Sequence, residues 1–285
     1  MKNGKRKRTM EIEDMIKLYL EGKGTTEIAE AANVSPRYVR LVLTENNVPK
    51  RPFGDWKRKY QLNEHYFKVW SNNMAYILGF FIADGFIASS QQTVSFAQKE
   101  KYILEKIRDE MGSNQVLYQN KITGVYSLNL NSKVLKEDLI NIFGITSNKS
   151  IEVEFPAVPD EYLSHFMRGY FDGDGNINYK GYFINFVGGS FSFMNTLCDL
   201  LDKKGFHPVL KQYSSKHYRV YVSGRKTIKE FSDWIYKDKE LFLHRKYELF
   251  QQEKLPIEML EDKMRKFREK RDDQIREQQA LYNWR

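Results

Sequence analysis

The sequence predicts an α+β protein of two related halves behind a small all-α domain. Three observations carry this. The segment Ile77-Leu78-Gly79-Phe80-Phe81-Ile82-Ala83-Asp84-Gly85 returns as Met167-Arg168-Gly169-Tyr170-Phe171-Asp172-Gly173-Asp174-Gly175, each an apolar helical run with a central Gly and a terminal Asp-Gly. Behind each copy the apolar spacing switches between helical and alternating in the same order. Residues 10–48, by contrast, keep a helical spacing broken only by turn residues.

Residues 1–52 are expected to form the first domain. Lys2, Lys5, Arg6, Lys7 and Arg8 make a basic arm that suits phosphate, or a solvated tail. Ile12, Met15, Ile16, Tyr19 and Leu20 share a helical face, ended by Gly22 and Gly24. A second short helix buries Ile28, Ala29 and Ala32, and Asn33-Val34 turns the chain. Ser35 suits an N-cap and Pro36 the first helical position. The helix from Ser35 to Glu45 buries Val39, Val42 and Leu43 and exposes Arg37, Tyr38, Arg40, Leu41 and Thr44. This unit resembles a helix-turn-helix of the resolvase-like kind, whose recognition helix sets its N-terminal residues on base edges in the major groove. A three-helix bundle for protein contact has the same pattern. Pro49-Lys50-Arg51-Pro52 extends the chain into a linker, 53–70, where Trp56, Lys57, Arg58, Lys59 and Tyr60 interleave aromatic and basic side chains. Lys50 and Arg51 are assigned to DNA binding, and the interleaved linker can track a DNA backbone or equally pack against the domain that follows.

Residues 71–157 and 158–252 are the two halves. A Gly inside a helix costs roughly 1 kcal/mol relative to Ala, a cost retained where another backbone must come close. Gly79 and Gly169 are therefore expected at a helix–helix interface. Gly85 and Gly175 suit the left-handed position that ends a helix. Asp84 and Asp174 then stand at the negative ends of two helix dipoles, unfavourable for a carboxylate and worse for two together. A divalent cation relieves both penalties, and Mg²⁺ favours a few carboxylates with phosphate oxygens. A calcium loop starting at Asp172 is excluded, because its sixth and twelfth positions need Gly and Glu, and Ile177 and Phe183 stand there.

In the first half, strands are expected at 86–90 and 93–97, a helix at 101–111 with Ile103, Leu104 and Ile107 inward, a hairpin at 115–119 and 125–130, and a helix at 134–143. In the second, strands at 176–180 and 183–187 precede a helix at 191–203, a hairpin at 209–213 and 217–222, and a helix from Thr227. The strands alternate apolar and polar residues. Gln91, Gln92, Gln119, Asn129, Asn131, Asn178, Lys180, Lys211, Gln212, Lys216, His217, Arg219 and Tyr221 are the polar partners. Amides, Lys and Arg outnumber carboxylates among them, and these types read base edges. Gln119, Asn178, Lys180, Lys211, Gln212, Lys216, Arg219 and Tyr221 are accordingly assigned to DNA binding. Residues 253–285 form a charged helical tail.

The two long repeats resemble the paired motifs of the LAGLIDADG homing endonucleases, over roughly residues 71–252. The resemblance implies a monomer of two αββαββα halves, each laying a saddle-shaped antiparallel sheet on double-stranded DNA, with the motif helices as interface. It implies a long asymmetric target site and a cut across the minor groove that leaves short 3′ overhangs. Asp84 and Asp174 would bind the metal, Mg²⁺ or Mn²⁺, and take part in catalysis. Lys149 and Lys246 match the basic residue late in each half, and Gln98 the polar residue that positions water. Val187-Gly188-Gly189-Ser190 offers no second Gln, so the two half-sites should be asymmetric. Ile82 departs from the pattern, where many members carry an acid, and Asp172 keeps it. Intron homing within a mobile genetic element is the implied setting, in the cytoplasm, near the nucleoid or in a phage-infected or plasmid-bearing cell.

Composition agrees. The chain has 285 residues, 41% hydrophobic and 14% aromatic, with net charge +9, a balance that favours a polyanionic partner. The apolar run from Ala75 to Ala83 falls far short of the ~20 residues that span a bilayer, so no membrane is expected. No apolar stretch follows the basic N-terminus, so no secretory signal is expected. Cys198 is alone, which excludes an intrachain disulfide and fits a reducing compartment. Two rivals share the fold: an RNA maturase that assists intron splicing, and a DNA-binding transcription regulator. An intein is disfavoured, because no splicing Cys or Ser opens the chain and no His-Asn closes it.

Overall fold

Ser35 Oγ accepts a hydrogen bond from the Tyr38 amide at 3.2 Å, and this cap with Pro36 behind it starts the third helix of the chain. In the computed structural model, which describes residues 8–50, 60–147, 149–178, 180 and 182–282, that helix is α3 (Pro36–Glu45), after α1 (Ile12–Leu20) and α2 (Thr25–Ala31). Asn33 turns the chain between α2 and α3 at φ 52°. Met15, Tyr19, Ile28, Ala29, Ala32, Val39 and Leu43 form a core of their own. Leu20 is exposed, contrary to expectation, and Leu18 packs inward in its place. The inner stripe runs through 15, 18 and 19, spaced three and four apart. Tyr38 also leans on this core instead of standing free beside Arg37 and Arg40. Lys50 is exposed, whereas Arg51, Trp56–Lys59 and the arm through Lys7 lie outside the described residues.

The chain divides into two compact units, residues 1–61 and 62–285. The second unit repeats one pattern twice. Its first half runs α4 (Asn72–Asp84), β1 (Gly85–Ile87), β2 (Thr93–Gln98), α5 (Lys101–Glu110), β3 (Tyr118–Gln119), β4 (Tyr126–Asn131) and α6 (Lys133–Phe143), closed by a one-turn helix, α7 (Lys149–Glu152). The other half runs α8 (Leu163–Asp174), β5 (Gly175–Asn178), β6 (Phe183–Gly188), α9 (Phe191–Lys203), β7 (Val209–Ser214), β8 (His217–Ser223) and α10 (Arg225–Tyr236), closed by α11 (His244–Phe250). A last helix, α12 (Ile257–Tyr282), docks through buried Leu260 and a 2.7 Å pair between Lys226 and Glu261.

Among the described residues the strands form two four-stranded antiparallel sheets, ordered β1-β2-β4-β3 and β5-β6-β8-β7. Val94, Phe96, Leu128 and Leu130 on one sheet, and Ile184, Phe186, Val220 and Val222 on the other, face the helices and are buried. On the opposite face of each sheet the described side chains, among them Ser95, Asn129, Arg219 and Tyr221, are largely half-buried or exposed.

α4 and α8 pack side by side through their glycines. A Cβ on Gly79 would overlap the Phe166 carbonyl oxygen and lie 2.9 Å from the Tyr170 nitrogen. A Cβ on Gly169 would overlap the Tyr76 carbonyl oxygen and lie 2.8 Å from the Phe80 nitrogen. Further along, a Cβ on Gly173 would overlap the Ala83 side chain. Gly85 and Gly175 serve a different purpose from the one expected. Their φ values, −90° and −84°, are extended, not left-handed. A side chain there would collide with the ring and carbonyl of Phe81 or Phe171, one turn back. Glycine thus lets each helix pass straight into a strand.

Candidate active site at the paired helix ends

Because α4 and α8 cross so closely, their C-termini arrive together, and so do Asp84 and Asp174. The space beside Gly173 is bounded by the Asp84 carboxylate, whose Cγ and Oδ2 lie 3.4 Å from where a Cβ would stand. Burial, and then the charge of Asp174, push the Asp84 carboxyl up to about 6, while Lys246 and Lys149 pull it back. Burial also raises Asp174 against the pull of the same two lysines. Asp84 Oδ2 accepts a hydrogen bond from Gln98 Nε2 at 2.9 Å.

Lys149 and Lys246 are buried, at 7% and 5% exposure, and are not surface lysines. Each caps the motif helix of its own half. Lys149 Nζ donates to the carbonyls of Ile82 and Ala83, the latter at 3.1 Å. Lys246 Nζ donates to the carbonyls of Phe171 and Gly175, both at 2.6 Å, and of Gly173 at 3.3 Å. The Ile82, Ala83 and Gly173 carbonyls belong to the last helical turns, whereas the Phe171 carbonyl also accepts from the Gly175 amide and Gly175 already belongs to β5; a cation at either end also offsets the dipole. Burial lowers both lysines, Lys246 to about 8. Two carboxylates and two ammonium groups therefore share one partly dehydrated site.

The half-sites differ. Gly188 takes the place matching Gln98, and a Cβ there would meet Met194 Sδ at 2.6 Å and the Tyr170 hydroxyl at 3.0 Å. That hydroxyl is itself held, donating to the Val187 carbonyl at 2.9 Å. A Gln in this half would require Met194 to move. Asp172 marks the second difference. It is fully buried and accepts from the Tyr76 hydroxyl at 2.9 Å, the Tyr236 hydroxyl at 3.4 Å and the Leu243 amide at 2.7 Å. Burial raises its carboxyl to about 6, against the pull of Lys246 and these donors. Arg168, also fully buried, donates to the carbonyls of Leu241 at 2.8 Å and Ile235 at 2.6 Å. Together they fasten the segment ahead of Lys246. At the matching point of the first half Ile82 packs in the core.

The family model of a LAGLIDADG-like domain matches residues 71–144 and again 161–236. The chain belongs to the LAGLIDADG-like family. Its curated relatives include the DNA-directed RNA polymerase subunit Rpo1C of Methanocaldococcus jannaschii, 28% identical over 169 residues, 57% of this chain. Another is the "Probable translation initiation factor IF-2" of Thermococcus kodakarensis, 36% identical over 77 residues, 27% of this chain. The matched parts span only 19% and 7% of those two proteins. Among solved structures, I-DmoI in complex with DNA and Ca is similar at TM-score 0.46 and 16% identity, over 64% of this chain and 98% of that one. Full-length DUF199/WhiA from Thermatoga maritima has the same TM-score, 0.46, at 14% identity over 75% of this chain and 72% of that one.

The donor set of this LAGLIDADG-like site fits a divalent cation. Asp84 and Asp174 are close, resist ionising in the bare protein and belong to different halves. Among the described residues no third His, Cys, Asp or Glu joins them. The remaining ligands would be water and phosphate oxygens, as suits Mg²⁺. The sheet residues divide by register. Arg219 opposes Lys211, and Tyr221 opposes Val209, on the face turned away from the core. There Arg219 lies 5.2 Å over the Tyr213 ring and Lys211 5.6 Å over that of Tyr221. Asn178, opposite Phe183, shares this face, and exposed Lys180 and Lys216 sit in the hairpin turns. Gln119 and Gln212 do not. They oppose Tyr126 and Tyr218, on the core-side face, although both stay exposed on edge strands, because each strand's partner sets which way it faces. The first sheet shows neutral pairs instead: Ser95 donates to Asn129 at 2.7 Å and Thr93 to Asn131 at 2.6 Å. Among the described residues no helix is long and apolar enough to cross a membrane.

Proposed function

We propose that the chain is a sequence-specific endonuclease of double-stranded DNA, dependent on a divalent metal and acting as a monomer. One observation carries the reading: Asp84 and Asp174 converge at the ends of two glycine-packed helices, with a buried lysine at each end. A structural core has no use for two neighbouring carboxylates whose burial opposes their ionisation. A phosphodiesterase has one, because Asp84 and Asp174 would hold the cation between them. When bound, the cation supplies activation of water and stabilisation of phosphoryl charge. Gln98, bonded to Asp84, orients water in the first half. Lys149 and Lys246 set positive charge beside the reacting phosphates.

The open sheet faces would lie along the major groove, Arg219, Lys211, Tyr221 and Asn178 from one half and Asn129 and Asn131 from the other. In the N-terminal unit, α3 would act as the recognition helix of a helix-turn-helix, with Arg37 and Arg40 toward DNA. The test is cleavage of a plasmid library that includes the locus from which the gene derives, with Mg²⁺ or with chelator. Cleavage that needs the metal is expected from the wild type. Asp84→Asn and Asp174→Asn should each lower double-strand cleavage by at least about a hundred-fold while retaining duplex binding. Undiminished cutting by the double variant would overturn the assignment.

A further inference from the structure

We propose that Arg245 is a phosphate-binding residue, held in place by Glu100 and serving one DNA strand only. The inference rests on the DNA reading above.

Four consecutive residues ahead of and entering α11 are pinned. The Leu243 amide donates to Asp172 Oδ2 at 2.7 Å, and the His244 amide to the Tyr102 hydroxyl at 2.6 Å. The His244 ring stacks on Tyr102 with centroids 4.5 Å apart. Arg245 Nε donates to Glu100 Oε1 at 2.7 Å, and Lys246 Nζ caps α8. The backbone that carries Arg245 is therefore rigid, and so is the root of its guanidinium. Its side chain is nonetheless 54% exposed, and among the described residues no hydrogen bond reaches its two terminal nitrogens.

A guanidinium held at Nε keeps its outer pair of nitrogens in a fixed plane, the fork that matches two phosphate oxygens. Arg245 also lies within electrostatic reach of Lys246, and Glu100 of Asp84. Both flanking groups, Glu100 that holds the fork and the adjacent Lys246, act electrostatically on Asp84, so Arg245 is carried by the segment that borders the carboxylate pair, where a scissile phosphodiester has to come. Glu100 fits the part of a holder. Its Oε2 is buried without a hydrogen-bond partner, so its charge is answered through Oε1 by Arg245.

The other half has no match in sequence. Asn148, a neutral amide, precedes Lys149, and Ser190 and Ser192 stand where Glu100 and Tyr102 would recur. One scissile phosphate would therefore meet an extra cation that the other lacks.

The experiment uses the full chain and a long duplex selected by binding from a randomised pool. Affinity is measured against salt in Ca²⁺, and strand-labelled nicking in Mg²⁺. Arg245→Gln should lower the slope of log K against log salt by about 1, and Arg245→Lys should keep it. Glu100→Gln should lower it by less. Arg245→Gln should also slow one strand on the order of thirty-fold and leave the other nearly unchanged. An unchanged slope, or equal slowing of both strands, would overturn the proposal. A wild type that binds but does not cut would remove the endonuclease reading and leave the slope to decide Arg245. One that binds no duplex would remove both.

Discussion

Four side chains at the helix ends set burial against charge. Asp84 binds its proton more tightly folded than unfolded, because burial and Asp174 both disfavour the anion. Ionising it therefore costs stability. The cost is absent below the unfolded value near ~4 and complete above about 6. Lys246, lowered to about 8, carries the reverse: its cost is absent above the unfolded value near ~10.4 and complete below about 8. At neutral pH the bare protein bears both. Asp84→Asn should accordingly raise the thermal midpoint of the chelated protein at pH 7.5, by at most about 3 kcal/mol in stability. The gain should fade at pH 4, and melts of both proteins across that range check it. A variant equally stabilised at both pH values would point to packing instead of charge.

At the scale of elements the helix pair is the frame that makes the site. Gly79 and Gly169 each face a backbone carbonyl of the other helix, and a backbone cannot rotate aside as a side chain does. Gly79→Ala should therefore cost about 3 kcal/mol or more, beyond the usual overpacking penalty and despite Ala's better helix propensity. Urea unfolding of the second unit measures it, and a neutral result would mean that the helices are not so tightly joined. The capping lysines belong to this scale as well. They complete α4 and α8 while standing at the reacting groups, so the same contacts that end the helices position the charge. The segments carrying them also reach the opposite half. Tyr102 of the first half accepts from His244, and a Cβ on Gly189 of the second would overlap the Ser150 carbonyl.

Across the whole molecule two units have separate hydrophobic cores, one within residues 10–48 and one from Phe67 onward. Removing residues 1–61 should leave the second unit folded, with its circular dichroism and unfolding midpoint preserved. On a selected duplex the truncated chain should show a shorter footprint, weaker binding and a flatter salt dependence. An unchanged footprint would assign the three-helix unit to protein contact.

The sequence alone determined the α+β class, the doubled order of elements and the convergence of Asp84 and Asp174. These rest on local signals: the period of apolar residues, the capping Ser35 and Pro36, and a helix that tolerates Gly only under close contact. Only the folded structure decided the rest, and most of it depends on atoms distant along the chain. Gly85 is required by the ring of Phe81 and not by a left-handed turn. Gln119 and Gln212 leave the open face because their partner strands set the register. Lys149 and Lys246 are buried because they donate to carbonyls of helix ends more than sixty residues away, at Ile82 and Phe171. Tyr102, Glu100 and Arg245 had no shared signal to be found by, since they meet only when one half closes on the other.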